Sequence, residues 1–374
     1  MKIAFIGQKG IPATFGGIEF HVDSLSRGLA AQGHEVLVYV RDWYTPKNLR
    51  IYDGVRLVHV PTIHTKHLDA AVHSFLCTFH ALAAGADIIH YHAIGPSFFS
   101  ILPRLLGRKT VATIHRLDWA TDKWKGPAKA ALKAGEWVLA KIPNRTIAVS
   151  TELTDYIRNR YGRKALHISH GVRLPEPVPS TILREKYGLG DKEFILFMSR
   201  LVSEKRADWM IRAFQDRKKR SALPDNLKLV IAGGDSASAA YVRRLREIAG
   251  GAPDIVFTGY ATGRLKQELL SQAMLFVLPS DLEGFPIALM EAMSYGLCCL
   301  CSDILPHREA VRNGVDGQLF RTADFADFGA KLKDLIENPE RRKALGDEAL
   351  ARMRKRASWM DVVRQTEAVY REIL

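Results

Sequence analysis

Cysteine is scarce in this chain, with four residues in 374. Cys298, Cys299 and Cys301 crowd one apolar run while Cys77 lies far away, which excludes a disulfide framework and predicts buried, reduced thiols in a cytoplasmic protein. Cys-Cys-Leu-Cys also lacks the spacing of a zinc site. No apolar run approaches the ~18–20 residues that a membrane-spanning helix needs. The opening "MKIAFIGQKGIPA" reads as a first strand and its turn rather than a signal peptide. Two phosphate-binding signatures are missing as well. Gly7, Gly10, Gly16 and Gly17 do not form G-x-G-x-x-G, and nothing matches a P-loop.

Acidic residues are thin in one half only. Residues 1–175 carry 23 Lys+Arg against 12 Asp+Glu, a net of +11, while the rest of the chain contributes only +3. Twelve of the thirteen histidines also fall in the first half. Such a half suits nucleic acid, anionic lipid or an anionic substrate, or is simply a solvated basic surface. No basic-aromatic recognition module is present, so nucleic acid is not an expected partner.

What remains is the composition of a soluble globular protein, 47% hydrophobic and 25% charged, at a length suited to two α/β domains. Strand-like runs alternate with helical patterns, which predicts parallel sheets. In the first half they are "KIAFIG", "EVLVYV", "VRLVHV", "DIIHYH", "KTVATIH", "RTIAVS" and "KALHIS". The second half restarts with "FILFMSR", "LKLVIAGG", "DIVFTGY", "MLFVLPS", "LCCLCSD" and "GQLF". Between them, Pro175, Pro177 and Pro179 alternate, a pattern that suits neither a helix nor a central strand and marks a stiff connector. The expected domains are 1–175, 176–357 and a helix at 358–374 that returns to the first domain. Both lobes are expected to be doubly wound and Rossmann-like, facing a central cleft.

Four loops carry the candidate chemistry. Gly16 and Gly17 open a helix after the first strand, where backbone N–H groups and the helix dipole favour an anion. In "SRLVSEKRAD", Arg200 and Lys205 follow the first strand of the second domain, and two cations there suit a diphosphate. In "DLEGFPIALMEAM", Glu283 falls in a strand-end loop and Glu291 about one and a half turns into the next helix. Gly284 allows close backbone approach, and the two carboxylates suit the hydroxyls of a sugar. His115 ends the "KTVATIH" strand. His90 and His92 are further candidates, of which the alternation of a strand is expected to turn one away.

The segment "EGFPIALME" resembles the E-x7-E motif of retaining glycosyltransferases of family 4, which have the GT-B fold. "SRLVSEKRAD" resembles that family's diphosphate segment and "GGIEFHV" its N-terminal glycine loop, and the similarity spans essentially the whole chain. The first half is most similar to a rhamnosyltransferase-like subgroup. Pro286 stands where many members carry Gly, and Cys298 where many carry Pro. The resemblance implies transfer of a hexose-type sugar from a nucleoside-diphosphate sugar to a glycan or lipid-linked acceptor in cell-surface polysaccharide synthesis.

It further implies that Glu283 binds the donor sugar, Glu291 the ribose, Arg200 and Lys205 the diphosphate, and His115 the sugar. Gly16, Gly17, Gly284, Phe285, Pro286 and Ile287 complete the expected donor contacts. With no Asp-x-Asp dyad in a suitable loop, neither a metal nor any other cofactor is expected. The basic first half, and the Lys- and Trp-bearing stretch Thr121 to Ile142, add peripheral contact with the anionic inner face of the cytoplasmic membrane. The rival readings are a GT-B-type epimerase and a non-catalytic nucleotide- or nucleic-acid-binding protein.

Overall fold

The computed structural model describes the chain except for residues 64, 66–67, 121–123, 221–222 and 235–238. It divides into two units, Met1–Gly171 with Ala357–Leu374, and Val172–Arg356. The division falls four residues before the expected boundary.

Among the described residues unit 1 holds eight strands: β1 (Lys2–Ile6), β2 (Glu35–Val40), β3 (Ile51–Tyr52), β4 (Val55–His59), β5 (Ile88–His92), β6 (Lys109–Ile114), β7 (Arg145–Ala148) and β8 (Leu166–His167). Their spatial order is β3-β4-β2-β1-β5-β6-β7-β8. All pairs are parallel except the hairpin of β3 with β4. Unit 2 holds β9 (Phe194–Met198), β10 (Lys228–Ala232), β11 (Ile255–Gly259), β12 (Leu275–Leu278), β13 (Cys299–Ser302) and β14 (Gln318–Phe320), ordered β11-β10-β9-β12-β13-β14 and all parallel.

Every strand-like run of the sequence contains one of these strands; only the two-residue β3 was not anticipated. Strands β9 and β12 are apolar throughout because helices cover both faces of a parallel sheet. Ile3 to Ile6, Phe194 to Met198 and Leu275 to Leu278 are accordingly all buried. The four cysteines are buried and free.

The final helix, Trp359–Ile373, belongs to unit 1. A capping box of Ser358 and Asp361 starts it, satisfying two backbone N–H groups that a helix start otherwise leaves unpaired. Its apolar face meets the first helix, Gly17–Ala31, at Gly28, where a Cβ would lie 2.4 Å from Val363 Cγ2. The Tyr370 hydroxyl reaches the sheet and hydrogen-bonds His90 Nδ1 at 2.6 Å.

In each unit the strand order reverses direction once, between β1 and β5 and between β9 and β12. Chains leaving the carboxyl ends of two such neighbours go to opposite faces of the sheet, and ligands of open α/β sheets bind at that crevice. The sequence-chosen loops follow β1, β6, β9 and β12. Three of those four strands border a reversal point.

Candidate active site

In unit 2, the segment after β9 makes one 3-10 turn, Ser203–Lys205, before the helix Ala207–Lys219. That turn carries Lys205 inward, to 5% exposure. Its Nζ lies 2.5 Å from Glu283 Oε1 and donates to the Leu282 carbonyl at 3.0 Å. Ser280 Oγ donates to the same Glu283 oxygen at 2.8 Å. The two loops are also stitched through their backbones, Asp281 N donating to Glu204 O at 2.8 Å, and by an Arg206–Asp281 ion pair at 2.5 Å. Lys205 and Glu283 therefore meet as a nearly buried ion pair at the sheet's reversal point, although 78 positions separate them in sequence.

Burial alone would push the Glu283 carboxyl up, but the charge and hydrogen bond of Lys205, with His307 and the Ser280 hydroxyl, together outweigh that and hold it below the usual carboxylate range. Glu283 is thus held as a carboxylate at neutral pH. A buried ion pair is weak evidence for stability, since desolvation offsets most of the Coulomb gain. Beneath it, His307 Nδ1 donates to the Ser302 carbonyl at 2.9 Å, and burial lowers its pKa to about 4.

The other expected residues of unit 2 are arranged less tightly. Arg200 is half-buried in the same β9 loop and makes no ion pair among the described residues. Glu291 lies in the helix Ile287–Ser294, five positions from Pro286 at its N-cap, and is paired with Lys266 Nζ at 2.5 Å. Gly284 and Phe285 lie between the two carboxylates, with the Arg356 guanidinium 5.6 Å from the Phe285 ring centre. Ile287 is the first residue of that helix.

In unit 1, the chain between β1 and the first helix is held by side chains. Tyr44 Oη accepts from the Thr14 and Phe15 amides, and Asp23 accepts from Ala13 N at 2.7 Å. Gly16 is the N-cap and Gly17 the first helical residue. At Gly7 and Gly16 φ is 121° and 98°, and at Gly7 a Cβ would lie 2.2 Å from the His92 carbonyl oxygen, so both positions demand glycine. Glu19 lies in the first helical turn, accepting from Lys9 N at 3.0 Å and pairing with Lys9 Nζ at 3.3 Å.

His115, directly after β6, belongs to a buried imidazole cluster that sequence reasoning found only in part. His92 Nδ1 is 3.0 Å from His115 Nε2, and His21 Nδ1 is 2.9 Å from His170 Nδ1. His21 also stands edge-on to His115, with ring centres 5.0 Å apart. Burial pushes the pKa of His21 down to about 3, and those of His90, His92 and His115 well below the usual value. The expectation that one of His90 and His92 points away is wrong. Residues two apart on a strand share a face, and their ring centres lie 4.3 Å apart. His21 and His170 were not among the candidate site residues, because their neighbours are set by tertiary structure.

The stretch expected to face a membrane starts outside the described residues at 121–123. Its remainder is the helix Gly126–Lys141, whose Gly135, Glu136, Val138, Leu139 and Ala140 are buried. Glu136 accepts hydrogen bonds from Tyr156 Oη at 2.8 Å and from Trp119 and Tyr161, a buried network not foreseen from sequence. No helix among the described residues is long and apolar enough to cross a membrane.

Solved structures with the same architecture include ones titled as glycosyltransferases. Anabaena HepE in complex with UDP and glucose superposes with a TM-score of 0.82 at 17% identity, over the whole of both chains. WaaG, a glycosyltransferase involved in lipopolysaccharide biosynthesis, gives 0.77 at 19% identity over 99% of each chain. The fold is therefore GT-B. Residues 15–174 match the family described as Glycosyltransferase Family 4, and residues 180–352 that described as Glycosyl transferases group 1. A GDP-mannose-dependent alpha-(1-6)-phosphatidylinositol monomannoside mannosyltransferase of Mycolicibacterium smegmatis is 26% identical, covering 90% of this chain and 89% of that one. EpsD of Bacillus subtilis, also named as a glycosyltransferase, is 30% identical over 70% of each chain. This chain belongs to glycosyltransferase family 4.

Proposed function

We propose that the enzyme moves a hexose-type sugar from a nucleoside-diphosphate sugar to a hydroxyl of a glycan or lipid-linked acceptor of cell-surface polysaccharide, with retention of anomeric configuration and without a metal in the transfer step. The observation that carries this reading is the buried Lys205–Glu283 pair at the carboxyl edge of β9 and β12. The energetic problem of such a transfer is the departing diphosphate, whose charge grows in the transition state. Lys205, held in place by Glu283 and the Leu282 carbonyl, and Arg200 in the same loop are preorganised cations for that charge.

A diphosphate that engages the Lys205 ammonium releases a Glu283 oxygen to accept a sugar hydroxyl. Glu291 accepts from the ribose hydroxyls, with Lys266 fixing its carboxylate. Gly284, Phe285, Pro286 and Ile287 line the donor between the two acids. In unit 1 the proposed roles are anion contact by the Gly16 and Gly17 amides and sugar contact by His115.

A lipid-linked acceptor is supported by the basic first half and by an exposed apolar surface on unit 1. Phe75 and Phe79 on the helix Asp69–Ala83 are joined by Phe98, Leu105 and Leu106, all well exposed. Neighbouring Arg104 and Arg108 suit anionic headgroups, each well-placed cation adding about 1 kcal/mol at a membrane surface. With this contact the enzyme would work at the inner face of the cytoplasmic membrane.

The test is a thermal-shift screen against UDP-, GDP-, dTDP- and ADP-sugars, followed by NMR of the product made from the stabilising donor. A ligand at a hundred times its Kd stabilises by about 2.7 kcal/mol. Stabilisation by one donor class and an unchanged anomeric configuration are expected. Inversion would refute the retaining course, and the absence of any stabilising donor would refute the donor reading. Turnover should persist in excess EDTA; a loss restored only by Mg²⁺ would overturn metal independence.

A further inference from the structure

We propose that His21, His92 and His115 form a binding site for one zinc-class divalent cation at the carboxyl edge of the unit 1 sheet. One ring nitrogen from each lies within 4.8 Å of the others, and all three residues are buried. They come from three elements: the first helix, the last residue of β5, and the position after β6. Tetrahedral zinc with bonds of ~2.0–2.1 Å sets its nitrogen ligands about 3.3–3.4 Å apart, so ring rotations of roughly 1 Å gather the three.

The hydrogen bonding favours these three over their neighbours. His90 is fully occupied, Nδ1 by Tyr370 and Nε2 by Thr113 at 2.7 Å, and stays outside the site. His92 Nε2 and His115 Nδ1 are buried and have no partner among the described residues. Whichever way the proton lies between His92 Nδ1 and His115 Nε2, one of the two outer nitrogens is left as a buried lone pair and the other as a buried N–H. Each such group costs about 1–3 kcal/mol; a cation shared by the two rings takes a lone pair from each and so replaces the hydrogen bond between them.

His170 completes the arrangement from outside. In the tautomer where His21 Nδ1 donates to His170 Nδ1, His21 Nε2 presents a free lone pair, and the outer partner fixes the ring, as ligating histidines require. Three imidazoles with no carboxylate select zinc, cobalt, nickel or copper, and reject magnesium and calcium, which take oxygen ligands.

The cation is an inhibitor rather than a helper. This consequence rests on the sugar contact proposed for His115, because a coordinated imidazole cannot also serve the donor.

Tag-free protein stripped with EDTA and titrated with Co²⁺ provides the test. Visible absorption of tetrahedral Co²⁺ that saturates at one equivalent, is displaced by Zn²⁺, and is lost in both His21→Gln and His92→Gln is expected. Circular dichroism establishes folding of each variant, and one folded variant suffices. No such absorption, or absorption undiminished in a folded variant, overturns the site. Turnover is read on the same samples, where one equivalent of Zn²⁺ should lower it at least tenfold. Binding with turnover unchanged upholds the site and removes His115 from the reaction; absent binding with normal donor stabilisation refutes the site alone.

Discussion

The two sheet edges are built on one topology and solve opposite electrostatic problems. Unit 1 belongs to the strongly basic half of the chain, yet the reversal point of its sheet is lined by uncharged imidazoles packed against one another. Unit 2 is nearly balanced in charge, yet at its reversal point it buries a carboxylate against an ammonium. Net charge therefore says little about where a fold concentrates its field. What decides is which side chains the strand ends carry inward, and whether burial is met by a partner, as for Glu283, or by loss of the charged form, as for His21 and His92.

Acid should break the comparison most severely. In unit 1 burial lowers the pKa of five histidines, with His21 and His73 at about 3 and His90, His92 and His115 well below 6.5. The unfolded chain binds those protons below pH ~6.5 and the folded chain does not, so stability is full above that pH and falls as pH drops toward 3. Each such group contributes about 1.4 kcal/mol per pH unit in that window. Among the described residues unit 2 has one comparable group, His307. In metal-free protein, hydrogen exchange at pH 5 should show unit 1 opening before unit 2; simultaneous opening would mean that the histidines gain little from burial.

The ion pair is the next lever. Lys205→Ala leaves Glu283 buried without its counter-charge, a change that costs about 3–5 kcal/mol at pH 7. In the native protein the Glu283 pKa is lowered, so the pair's contribution is present above the unfolded value and is lost as pH falls through the folded one. In the variant, burial alone raises that pKa, so the deficit in melting temperature should shrink between pH 7 and pH 4. Where the variant remains folded, turnover should fall at least a hundredfold. Arg200→Ala tests the same field without disturbing a pair. The loss of about 3–4 kcal/mol expected of a transition-state donor should then appear in kcat with little change in melting temperature. Near-normal turnover would remove Arg200 from the reaction.

These contrasts also explain what the amino-acid order discloses. Parallel strands covered on both faces are continuous apolar runs, so among the described residues thirteen of the fourteen strands are legible, and β3, two residues long, carries no pattern of its own. The glycines and Glu283 are legible because turn chemistry and strand ends are local. Contacts across the sheet are not. Nothing near Lys205 points to Glu283, nothing near Glu291 points to Lys266, and nothing near His21 points to His170. The His90 and His92 error was one of geometry rather than of information, since a period of two already places both on one face.

The smallest expected effect tests whether the returning helix belongs energetically to unit 1. Ser358 Oγ accepts from Asp361 N at 3.2 Å, and Asp361 Oδ2 lies 2.8 Å from both the Ser358 amide and its hydroxyl. Ser358→Ala removes the hydroxyl and leaves the Asp361 amide without its cap, which costs about 1 kcal/mol. The helix buries Val362, Val363, Val369, Tyr370 and Ile373 against unit 1, so the loss should appear there. Amides of the Trp359–Ile373 helix, and those of the Gly17–Ala31 helix on which it lies, should lose protection while β9 and β12 keep theirs. Uniform loss across both units would mean instead that the chain unfolds as one cooperative block, and that the different electrostatics of the two sheet edges do not extend to separate stabilities.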